Sequence, residues 1–366
     1  MTRRHRPDRA TTRPRLRSSP RRDASPPRLR SVPRRDASPP RLRAALAVVL
    51  AVTAAACSSS GGREAEEERE RAAEAGNAGP PQYTVAFVTH EAPGDTFWTI
   101  VRAGAEEAAA RHNIELVYSN DPEGLRQANL VQNAVDSQVD GIAVTMNKPD
   151  AMTPAVQQAV EAGIPVVGVN SGMDAWQNAG AIMFFGQDET IAGQAAGERL
   201  SEEGVSSVLC VLHEQGSVSL EARCDGAAST FTGTIEKLYV DGTNMPSVRS
   251  TIQAKLAEDP GIERVLTLGA PFAVTAVQSV ADAGSAAQVV TFDTNAELVA
   301  AIEAGDVLWA VDQQPYLQGY LAVSGLWLQI TNGNDIGGGE AVLTGPSFIT
   351  SENIDAIAEY AQRGTR

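Results

Sequence analysis

The residues Thr89–Trp98, with the sequence THEAPGDTFW, join a predicted strand to a predicted helix. The apolar run Tyr83–Val88 precedes them, and apolar residues then recur at helical spacing, at Ile100, Val101, Ala105 and Ala108. We therefore predict a buried strand, a turn that bends at Gly94, and a helix that is capped by Asp95 or Thr96. In open α/β sheets, turns of this kind border the ligand crevice at the carboxyl ends of the strands.

Two large aromatic residues, Phe97 and Trp98, stand side by side in the first turn of this helix. Adjacent helical positions do not share one face, so we expect at least one ring to leave the core side and enter the crevice. The alternative is that both rings pack under the loop as core residues. The local pattern alone does not separate these two interpretations.

The same alternation of apolar strand and amphipathic helix continues through the rest of the chain. Further strands are predicted at Ile114–Tyr118, Gly141–Thr145, Pro165–Val169, Ile182–Phe185, Val205–Leu212, Arg264–Leu268, Gln288–Phe292 and Val307–Val311. Helices are predicted between them, among others at Leu125–Gln138, Thr153–Ala162, Thr190–Leu200, Asn244–Ala257, Pro271–Ala283 and Pro315–Ile330. Strands that alternate with helices form parallel sheets covered on both faces, and about a dozen such units exceed one sheet. The predicted fold class is therefore α/β, with two doubly wound parallel-sheet lobes.

The composition describes an acidic globular body behind a basic leader. Of the 366 residues, 43% are hydrophobic, which is enough for one large or two ordinary domains. Residues 1–43 hold 15 of the 30 basic and three of the 45 acidic residues, so the remaining 15 basic and 42 acidic residues give a formal charge of −27. Such a body repels phosphate backbones, and we expect no nucleic-acid partner.

The leader contains two near-identical tandem copies, 18–30 and 31–43, which are too rich in Pro and Arg to bury apolar area. One interpretation is a basic arm for nucleic acid or anionic lipid. We favour another, because the following apolar stretch Ala44–Ala56 is too short to span a bilayer and completes an export signal. Residues 1–56 are thus predicted to be a basic low-complexity segment and a lipoprotein-type signal. Translation that begins inside the repeat, for instance at Val32, is an alternative.

The tetrapeptide Ala54-Ala55-Ala56-Cys57 resembles a bacterial lipoprotein signal, in which the Cys becomes the acylated first residue. Ala54 departs from the pattern because Leu is usual there, and the alternative is a chance Cys57 near an ordinary cleavage site. A Ser- and Gly-rich spacer and a Glu-rich segment follow, so residues 57–81 are predicted to form a lipidated Cys and a flexible acidic tether. This places the body on the outer face of the cytoplasmic membrane.

Two cysteines remain if Cys57 carries lipid, namely Cys210 and Cys224. Leftover cysteines of an exported protein are commonly paired. Cys210 ends a predicted strand, and we expect Cys224 to open a helix after a short loop, so we predict a disulfide between them. A single catalytic thiol is the weaker alternative, because His213 is the only nearby base.

Signatures of catalysis are missing from the body of the chain. It has no GxGxxG or GxxxxGK[ST] phosphate loop and no GxSxG nucleophile elbow. It has no HExxH, and the spacing of its three His does not suit zinc, so we expect no metal and no cofactor. The segment Asn332–Asp335 faintly resembles a calcium loop, but a surface turn is the better interpretation.

Polar residues instead follow the carboxyl ends of several predicted strands. They are Asn147, Asn170 with Ser171, Gln187 with Asp188, Asp293 to Asn295, and Asp312 to Gln314. Each taken alone is better explained as a turn former or helix cap. Together with Asp95, Phe97 and Trp98 they predict hydrogen-bonding groups around aromatic faces, which is the combination that a sugar requires.

From these motifs the chain is identified as resembling the periplasmic sugar-binding proteins of ABC importers, which share the type I fold with ribose-, galactose- and inositol-binding proteins. Five segments between residues 83 and 350 carry the resemblance: 94–98, 141–167, 186–197, 223–226 and 292–313. The resemblance implies two lobes joined by a multi-strand hinge. It implies that the ligand contacts Asp95, Phe97, Trp98, Asn147, Asn170, Gln187, Arg223, Asp293 and Gln313.

The chain departs from common sugar binders at two places. Asn170-Ser171 stands where Asp followed by Arg is common, and Gly269-Ala270-Pro271 stands where many members have an Asn-Asp pair. These changes remove charge-assisted hydrogen bonds. A ribose- or glucose-like ligand therefore does not follow, and a deoxy sugar, a polyol, a cyclitol or a furanosyl signalling molecule fits as well.

Together with the predicted lipid attachment at Cys57, the resemblance implies a lipid-anchored, monomeric solute receptor that delivers a sugar or polyol to an ABC permease and is not an enzyme. Its lobes are predicted at 82–186 plus 314–343 and at 187–313 plus 344–366. The leading alternative is a ligand sensor of the same fold that feeds a chemotaxis, two-component or quorum-signal pathway. A repressor of this fold would need a helix-turn-helix before residue 82, where the export signal stands, and a secreted hydrolase would need a nucleophile motif.

Overall fold

A computed structural model of the chain describes residues 79–366. The predicted export signal, Cys57 and all but the last residues of the predicted tether lie outside this range. No helix within 79–366 is long and apolar enough to cross a membrane.

Six strands form the first sheet: β1 (Tyr83–Thr89), β2 (Ile114–Asn120), β3 (Gly141–Val144), β4 (Val166–Asn170), β5 (Met183–Gly186) and β11 (Val342–Leu343). Their spatial order is β11-β5-β4-β3-β1-β2, and all neighbours are parallel. Parallel neighbours need crossover connections, and helices supply them here.

Six strands form the second sheet: β6 (Ser207–Leu212), β7 (Thr234–Tyr239), β8 (Arg264–Thr267), β9 (Gln288–Phe292), β10 (Val307–Asp312) and β12 (Ser347–Thr350). Their order is β12-β10-β9-β8-β6-β7, and only β12 pairs antiparallel with its neighbour. The two sheets thus repeat one strand order, so that β1 to β5 correspond to β6 to β10.

The helices of the first lobe are α1 (Thr96–His112), α2 (Gly124–Asp136), α3 (Pro149–Glu161), α4 (Trp176–Ala179) and α10 (Pro315–Asn332). Those of the second are α5 (Glu189–Glu202), α6 (Val218–Thr230), α7 (Met245–Glu258), α8 (Ala270–Ala283), α9 (Ala296–Ala304) and α11 (Ala358–Gln362), with a 3₁₀ turn at Ile354–Ala356. The predicted fold class, two parallel-sheet α/β lobes, is confirmed.

Each sheet has a hydrophobic core on both faces. Along β1, Val85 and Phe87 belong to one buried cluster, whereas Ala86 and Val88 belong to another. Strand β6 divides its side chains in the same way between two further clusters. Strands covered on both faces read as continuous apolar runs, which is why most of them could be predicted.

Three strands and one helix position differ from the sequence prediction. The edge strand β7 has the sequence TIEKLY, whose alternating polar residues are exposed, and the prediction relied on apolar runs. Strands β11 and β12 are two and four residues long. Cys224 does not open a helix but lies in the middle of α6, because Ser217 caps that helix through the Leu220 N–H.

The predicted disulfide is present. Cys210 in β6 and Cys224 in α6 are bonded, with their Cα atoms 6.1 Å apart. Both residues are fully buried in the cluster between β6 and its covering helices. The bond therefore ties α6, the helix that carries Arg223, to β6, which lies beside the edge strand β7 of the second sheet.

Glycines allow two pairs of helices to pack with their backbones in contact. In the first lobe α1 packs on α10, and a Cβ on Gly319 would overlap the carbonyl oxygen of Val101. A Cβ on Gly104 would overlap the carbonyl oxygen of Tyr316. In the second lobe α5 packs on α6 through three glycines, Gly193, Gly197 and Gly226. These helices begin at the ends of the strands where the two lobes face each other, so their close packing sets the position of the site.

We expect Gly319→Ala to destabilise the protein, because the added methyl group meets backbone atoms that cannot rotate away. The loss should be on the order of 1–3 kcal/mol in urea unfolding. Gly325→Ala, on the same helix, is the matched control. Its Cβ would meet side-chain atoms of Met183 and Phe185 at 3.1 Å rather than backbone atoms, and Ala also favours the helix. Equal stability of the two variants would contradict the proposed backbone contact.

Candidate functional site

A cavity of about 840 Å³ lies where the carboxyl ends of the two sheets face each other. Its wall is built from both lobes, by residues at or just after the carboxyl ends of β1 to β4 on one side and β6 to β10 on the other. Ligand sites of open α/β sheets occur at this edge, and the volume is typical of a small-molecule site.

The loop between β1 and α1 supplies one wall of the cavity. Asp95 caps α1 by accepting the Phe97 N–H at 3.0 Å, and Gly94 takes a φ of +90° in the bend before it. The prediction of a strand, a bend at Gly94 and a capped helix is therefore confirmed. The cap holds the Asp95 carboxylate at the cavity, and burial raises its pKa to about 7, against the effect of the Phe97 N–H.

The two rings of α1 belong to both the core and the cavity. Phe97 is 8% exposed and Trp98 is 2% exposed, and both pack in the core cluster of the first lobe. Both also border the cavity, with their rings edge to face at a centroid distance of 5.1 Å. Both interpretations of this pair therefore apply, because a ring can bury one face in the core and turn the other to the cavity.

An aromatic pair from the second lobe borders the same cavity. His213, which follows β6, stacks on Phe272 of α8 with a centroid distance of 3.9 Å and an interplanar angle of 12°. Gly269 lies against this pair, since a Cβ there would be 3.3 Å from Phe272 and 3.5 Å from His213. The Gly269 segment, where many sugar binders carry an Asn-Asp pair, thus adjoins a flat aromatic surface.

A buried cation, Arg223, forms part of the cavity floor. Its guanidinium makes a bidentate ion pair with Glu189, with N–O distances of 2.6 and 2.9 Å, and lies 3.5 Å from Asp293. It also donates to the carbonyl oxygen of Leu268 at 3.0 Å. Burial opposes its charge, but the two carboxylates outweigh burial and raise the pKa of Arg223. Burial also raises the pKa of Asp293, to about 6, in spite of Arg223.

A chain of buried amides joins this ion cluster to the first lobe. Gln313 donates to Asp293 at 2.7 Å, and its oxygen accepts from Asn170 at 3.1 Å and from Gln318 at 2.9 Å. Asn170 and Asp293 occupy corresponding places after β4 and β9, and both have a left-handed φ, of 62° and 64°. That backbone conformation is uncommon for residues other than Gly and often marks a functional site.

Polar contacts hold the two lobes together at the edge of the cavity. The Asn147 side chain donates to Glu214 at 2.9 Å and accepts from Ser217 at 2.7 Å. Ser171 and Ser219 are hydrogen bonded at 2.5 Å, and Ser171 also donates to Asn147 at 3.1 Å. These five residues, the interlobe latch, come from the first lobe at 147 and 171 and from the second lobe at 214, 217 and 219.

Seven of the nine predicted ligand residues border the cavity: Asp95, Phe97, Trp98, Asn170, Arg223, Asp293 and Gln313. The other two do not border it. Asn147 lies in the interlobe latch, and Gln187 lies behind the floor, where it donates to Glu189 at 2.8 Å. Both are buried, and each holds a residue of the cavity wall or of its ion cluster.

Four prominent residues of the wall are absent from the predicted ligand set: His90, His213, Glu214 and Phe272. His90 and His213 each directly follow a strand, which is the criterion that selected the other polar residues. In the sequence their spacing does not suit zinc, and His213 otherwise stands out only as a possible base for a thiol. Phe272 occupies the first turn of α8, as Phe97 does in α1, and the same criterion of ring position would have found it.

The ionisable groups make this a site for neutral hydrogen-bonding groups. Burial lowers the pKa of both His90 and His213 to about 3, with smaller contributions from nearby cations, so both rings are neutral. Burial also raises the pKa of Glu214. Within residues 79–366 no cluster of His, Cys, Asp and Glu has the makeup of a metal site. The wall can therefore donate to and accept from hydroxyl groups and cover the apolar faces of a ring.

Because the folded protein keeps the His213 ring neutral, its free energy of unfolding should depend on pH. The unfolded chain binds a proton at this residue below its ordinary pKa of 6.5, whereas the folded chain does so only near pH 3. As the pH falls from 7 to 4, the wild type should therefore lose stability relative to His213→Gln, by at most about 1.4 kcal/mol per pH unit. Urea unfolding of both proteins at several pH values measures this difference. Parallel stability curves would contradict it.

Comparison with known proteins places this architecture in one family. A family model described as a periplasmic binding protein domain matches residues 85–335, well over half of the chain. A carbohydrate transporter protein from Acidothermus cellulolyticus, solved in complex with myo-inositol, is 58% identical. That match covers 78% of this chain and 100% of the other, with a TM-score of 0.78.

Curated relatives are more distant. The xylose/arabinose-binding protein of Sulfolobus acidocaldarius is 23% identical over 295 residues, which cover 75% of this chain and 72% of the relative. The xylitol-binding protein of Mycolicibacterium smegmatis is 25% identical over 281 residues, which cover 72% and 77%. This chain belongs to the periplasmic binding protein family, whose members are extracytoplasmic solute-binding proteins of ABC transporters rather than enzymes.

Proposed function

We propose that this chain captures a neutral ring polyol, with myo-inositol as the first candidate, and delivers it to an ABC importer. The observation that carries the proposal is the cavity wall itself, in which aromatic faces from both lobes flank a floor of amides and paired charges. Each hydroxyl of a cyclitol both donates and accepts, and its ring carbons present apolar C–H groups.

The charges of the wall favour a neutral ligand over an anionic one. Arg223 is already paired with Glu189 and Asp293, so it does not require a phosphate or carboxylate from the ligand. Lys148, which also borders the cavity, is paired with Glu214 at 3.2 Å, so neither of these two cations of the wall lacks a carboxylate partner. A free polyol therefore suits the site better than its phosphate ester.

The relatives support the same class of ligand. The protein that is 58% identical to this chain was solved with myo-inositol, and the two curated relatives are named for xylitol and for xylose and arabinose. Myo-inositol and xylitol are polyols. They support the proposal because this chain lacks the Asp-Arg and Asn-Asp pairs of common sugar binders.

Ligand capture is proposed to close the two lobes, taken as 82–186 plus 314–343 and 187–313 plus 344–366. The support is that the lobes are joined at three connections, after β5, after β10 and after β11. A hinge of three short connections permits rotation, and a ligand that contacts both walls favours the closed form through its higher affinity for that form.

The site of action is proposed to be the outer face of the cytoplasmic membrane, where a lipid on Cys57 anchors the receptor. The receptor is proposed to be a monomer. The support lies in the sequence: a basic segment, a short apolar run and small residues before the cysteine, followed by an acidic tether. No observation favours the alternative of a sensor.

Myo-inositol should bind the purified full-length chain with one site per molecule in isothermal titration calorimetry. At a ligand concentration of 100 times Kd, the free energy of unfolding should rise by about 2.7 kcal/mol. Myo-inositol 1-phosphate is the matched control and should bind far more weakly, because Lys148 and Arg223 are already paired with carboxylates and leave the phosphate without a free cation. Failure of myo-inositol, xylitol and the pentoses alike to bind would overturn the proposed function.

Within the same experiment, Trp98→Leu should weaken binding about tenfold to thirtyfold, since it keeps an apolar core residue and removes the aromatic face. Trp327→Leu is the matched control, because Trp327 packs against the same core cluster but stacks on His112 away from the cavity. Equal affinities of the two variants would assign Trp98 to the core alone.

Replacement of the predicted lipid attachment residue should release the receptor from the membrane. Expressed in a bacterium fed radioactive palmitate, the wild type should carry label and sediment with membranes. Cys57→Ser should carry no label and appear in the soluble exported fraction. A Cys57→Ser chain that keeps its label and its membrane fraction would show that another residue or segment anchors it.

A further inference from the structure

His90 occupies a place in the first lobe that corresponds to that of His213 in the second. His90 directly follows β1 and His213 directly follows β6, and these two strands hold the same position in their sheets. Both side chains border the cavity, and both rings pack on aromatic neighbours. The His90 ring lies edge-on to Trp98 at 4.8 Å, and the His213 ring stacks on Phe272.

Hydrogen bonds to Thr145 determine which nitrogen of His90 carries the proton. The Oγ1 atom of Thr145 accepts the backbone N–H of His90 at 3.1 Å and an N–H of Gln127 at 2.9 Å. The orientation of the Gln127 amide follows from its second contact, because the same nitrogen lies 2.9 Å from the Thr145 carbonyl oxygen and must donate there.

Both acceptor positions of the Thr145 hydroxyl are therefore occupied, and its own hydrogen is free to donate. The remaining partner of Oγ1 is Nδ1 of His90, at 2.7 Å. Nδ1 must accept this hydrogen bond and cannot carry a proton, so the proton of the neutral ring lies on Nε2. Nε2 has no partner within residues 79–366 and is not among the buried unpartnered atoms there, so it is open to the cavity.

A different observation leads to the same tautomer for His213. Its Nδ1 is buried and has no hydrogen-bond partner in the described part of the chain. A proton on this atom would make it a buried donor without an acceptor. This costs more free energy than a buried acceptor without a donor, which is what an unprotonated Nδ1 would be. The proton is therefore favoured on Nε2, and the stack on Phe272 keeps the ring plane at the cavity wall.

We infer that His90 and His213 are specificity-determining ligand residues, which present a matched pair of neutral Nε2–H donors to two hydroxyl oxygens of the polyol, one from each lobe. Thr145 and Gln127 act as positioning residues, since they fix the tautomer of His90 and do not border the cavity. The inference rests on the proposed function for the identity of the acceptor atoms, but the tautomers follow from the protein alone.

The first test is made on the ligand-free full-length chain, by long-range ¹H–¹⁵N NMR of imidazole nitrogens, with His90→Gln and His213→Gln used for assignment. Both rings should show a protonated Nε2 and an unprotonated Nδ1. Thr145→Val should remove this preference at His90, whereas Thr145→Ser keeps the hydroxyl and should retain it. A protonated Nδ1 in either histidine of the wild type would overturn the inference.

The second test measures the affinity for myo-inositol by calorimetry. The Gln amide nitrogen reaches the place of Nε2, whereas Asn ends near Nδ1, so His90→Asn should weaken binding about tenfold to a hundredfold and His90→Gln less than tenfold. The same order is expected at His213. If the wild type binds and both Asn variants bind equally well, the inference fails while the proposed function stands. If no polyol binds the wild type, the proposed function fails, and the NMR result alone decides the tautomers.

Discussion

The buried charge of Arg223 is the constraint on which the site depends. A cation taken out of water needs paired carboxylates and further hydrogen-bond acceptors, and removing one partner is strongly destabilising. Here Glu189 is the first residue of α5, the helix that begins right after the chain crosses from the first lobe, and Asp293 directly follows β9. The ion cluster therefore joins the start of this helix to the carboxyl ends of the strands of the second sheet. Gln313 extends the network to Asn170 in the first lobe. The floor of the cavity is therefore complete without a ligand, and its polar groups are already oriented.

The repeated strand order of the two sheets explains how one cavity receives matched groups from both sides. Corresponding strands end at the same edge, so residues at corresponding places face the same space from opposite lobes. His90 matches His213, and Asn170 matches Asp293 even in its left-handed backbone. The aromatic surfaces differ, because α1 supplies adjacent rings whereas the second lobe supplies a ring of α8 stacked on His213. The two sides of the site thus correspond in the places of their histidines and left-handed residues, whereas their apolar faces differ.

Much of this arrangement could be predicted from the sequence, and the rest fails for identifiable reasons. Buried parallel strands are apolar throughout, so their pattern is strong, whereas β7 is an exposed edge strand and has an alternating pattern that the search for apolar runs missed. The rule that polar residues follow strands brought Asn170 and Asp293 to the right edge of the fold. Arg223 lies within α6 and follows no strand, so only the family resemblance could point to it. The rule cannot distinguish the cavity wall from the latch beside it, because Asn147 follows β3 as regularly as its neighbours follow their strands.

The interlobe latch is weak enough for a receptor that must also release its ligand. Its contacts are hydrogen bonds of Asn147 and Ser171 with three residues of the other lobe, and beside them Lys148 pairs with Glu214 at 3.2 Å and Asn295 donates to Thr96 at 3.1 Å. A neutral bond of this kind contributes only about 0.5–1.5 kcal/mol net and one to a charged group about 1.5–3 kcal/mol, because water replaces it when the lobes part. No apolar core cluster of the described chain includes residues of both sheets. Closure therefore buries little apolar area of its own, and the free energy that favours the closed form has to come largely from a ligand that contacts both walls. A larger apolar interface would hold the lobes shut without ligand, and the closed form would then no longer report that the site is occupied.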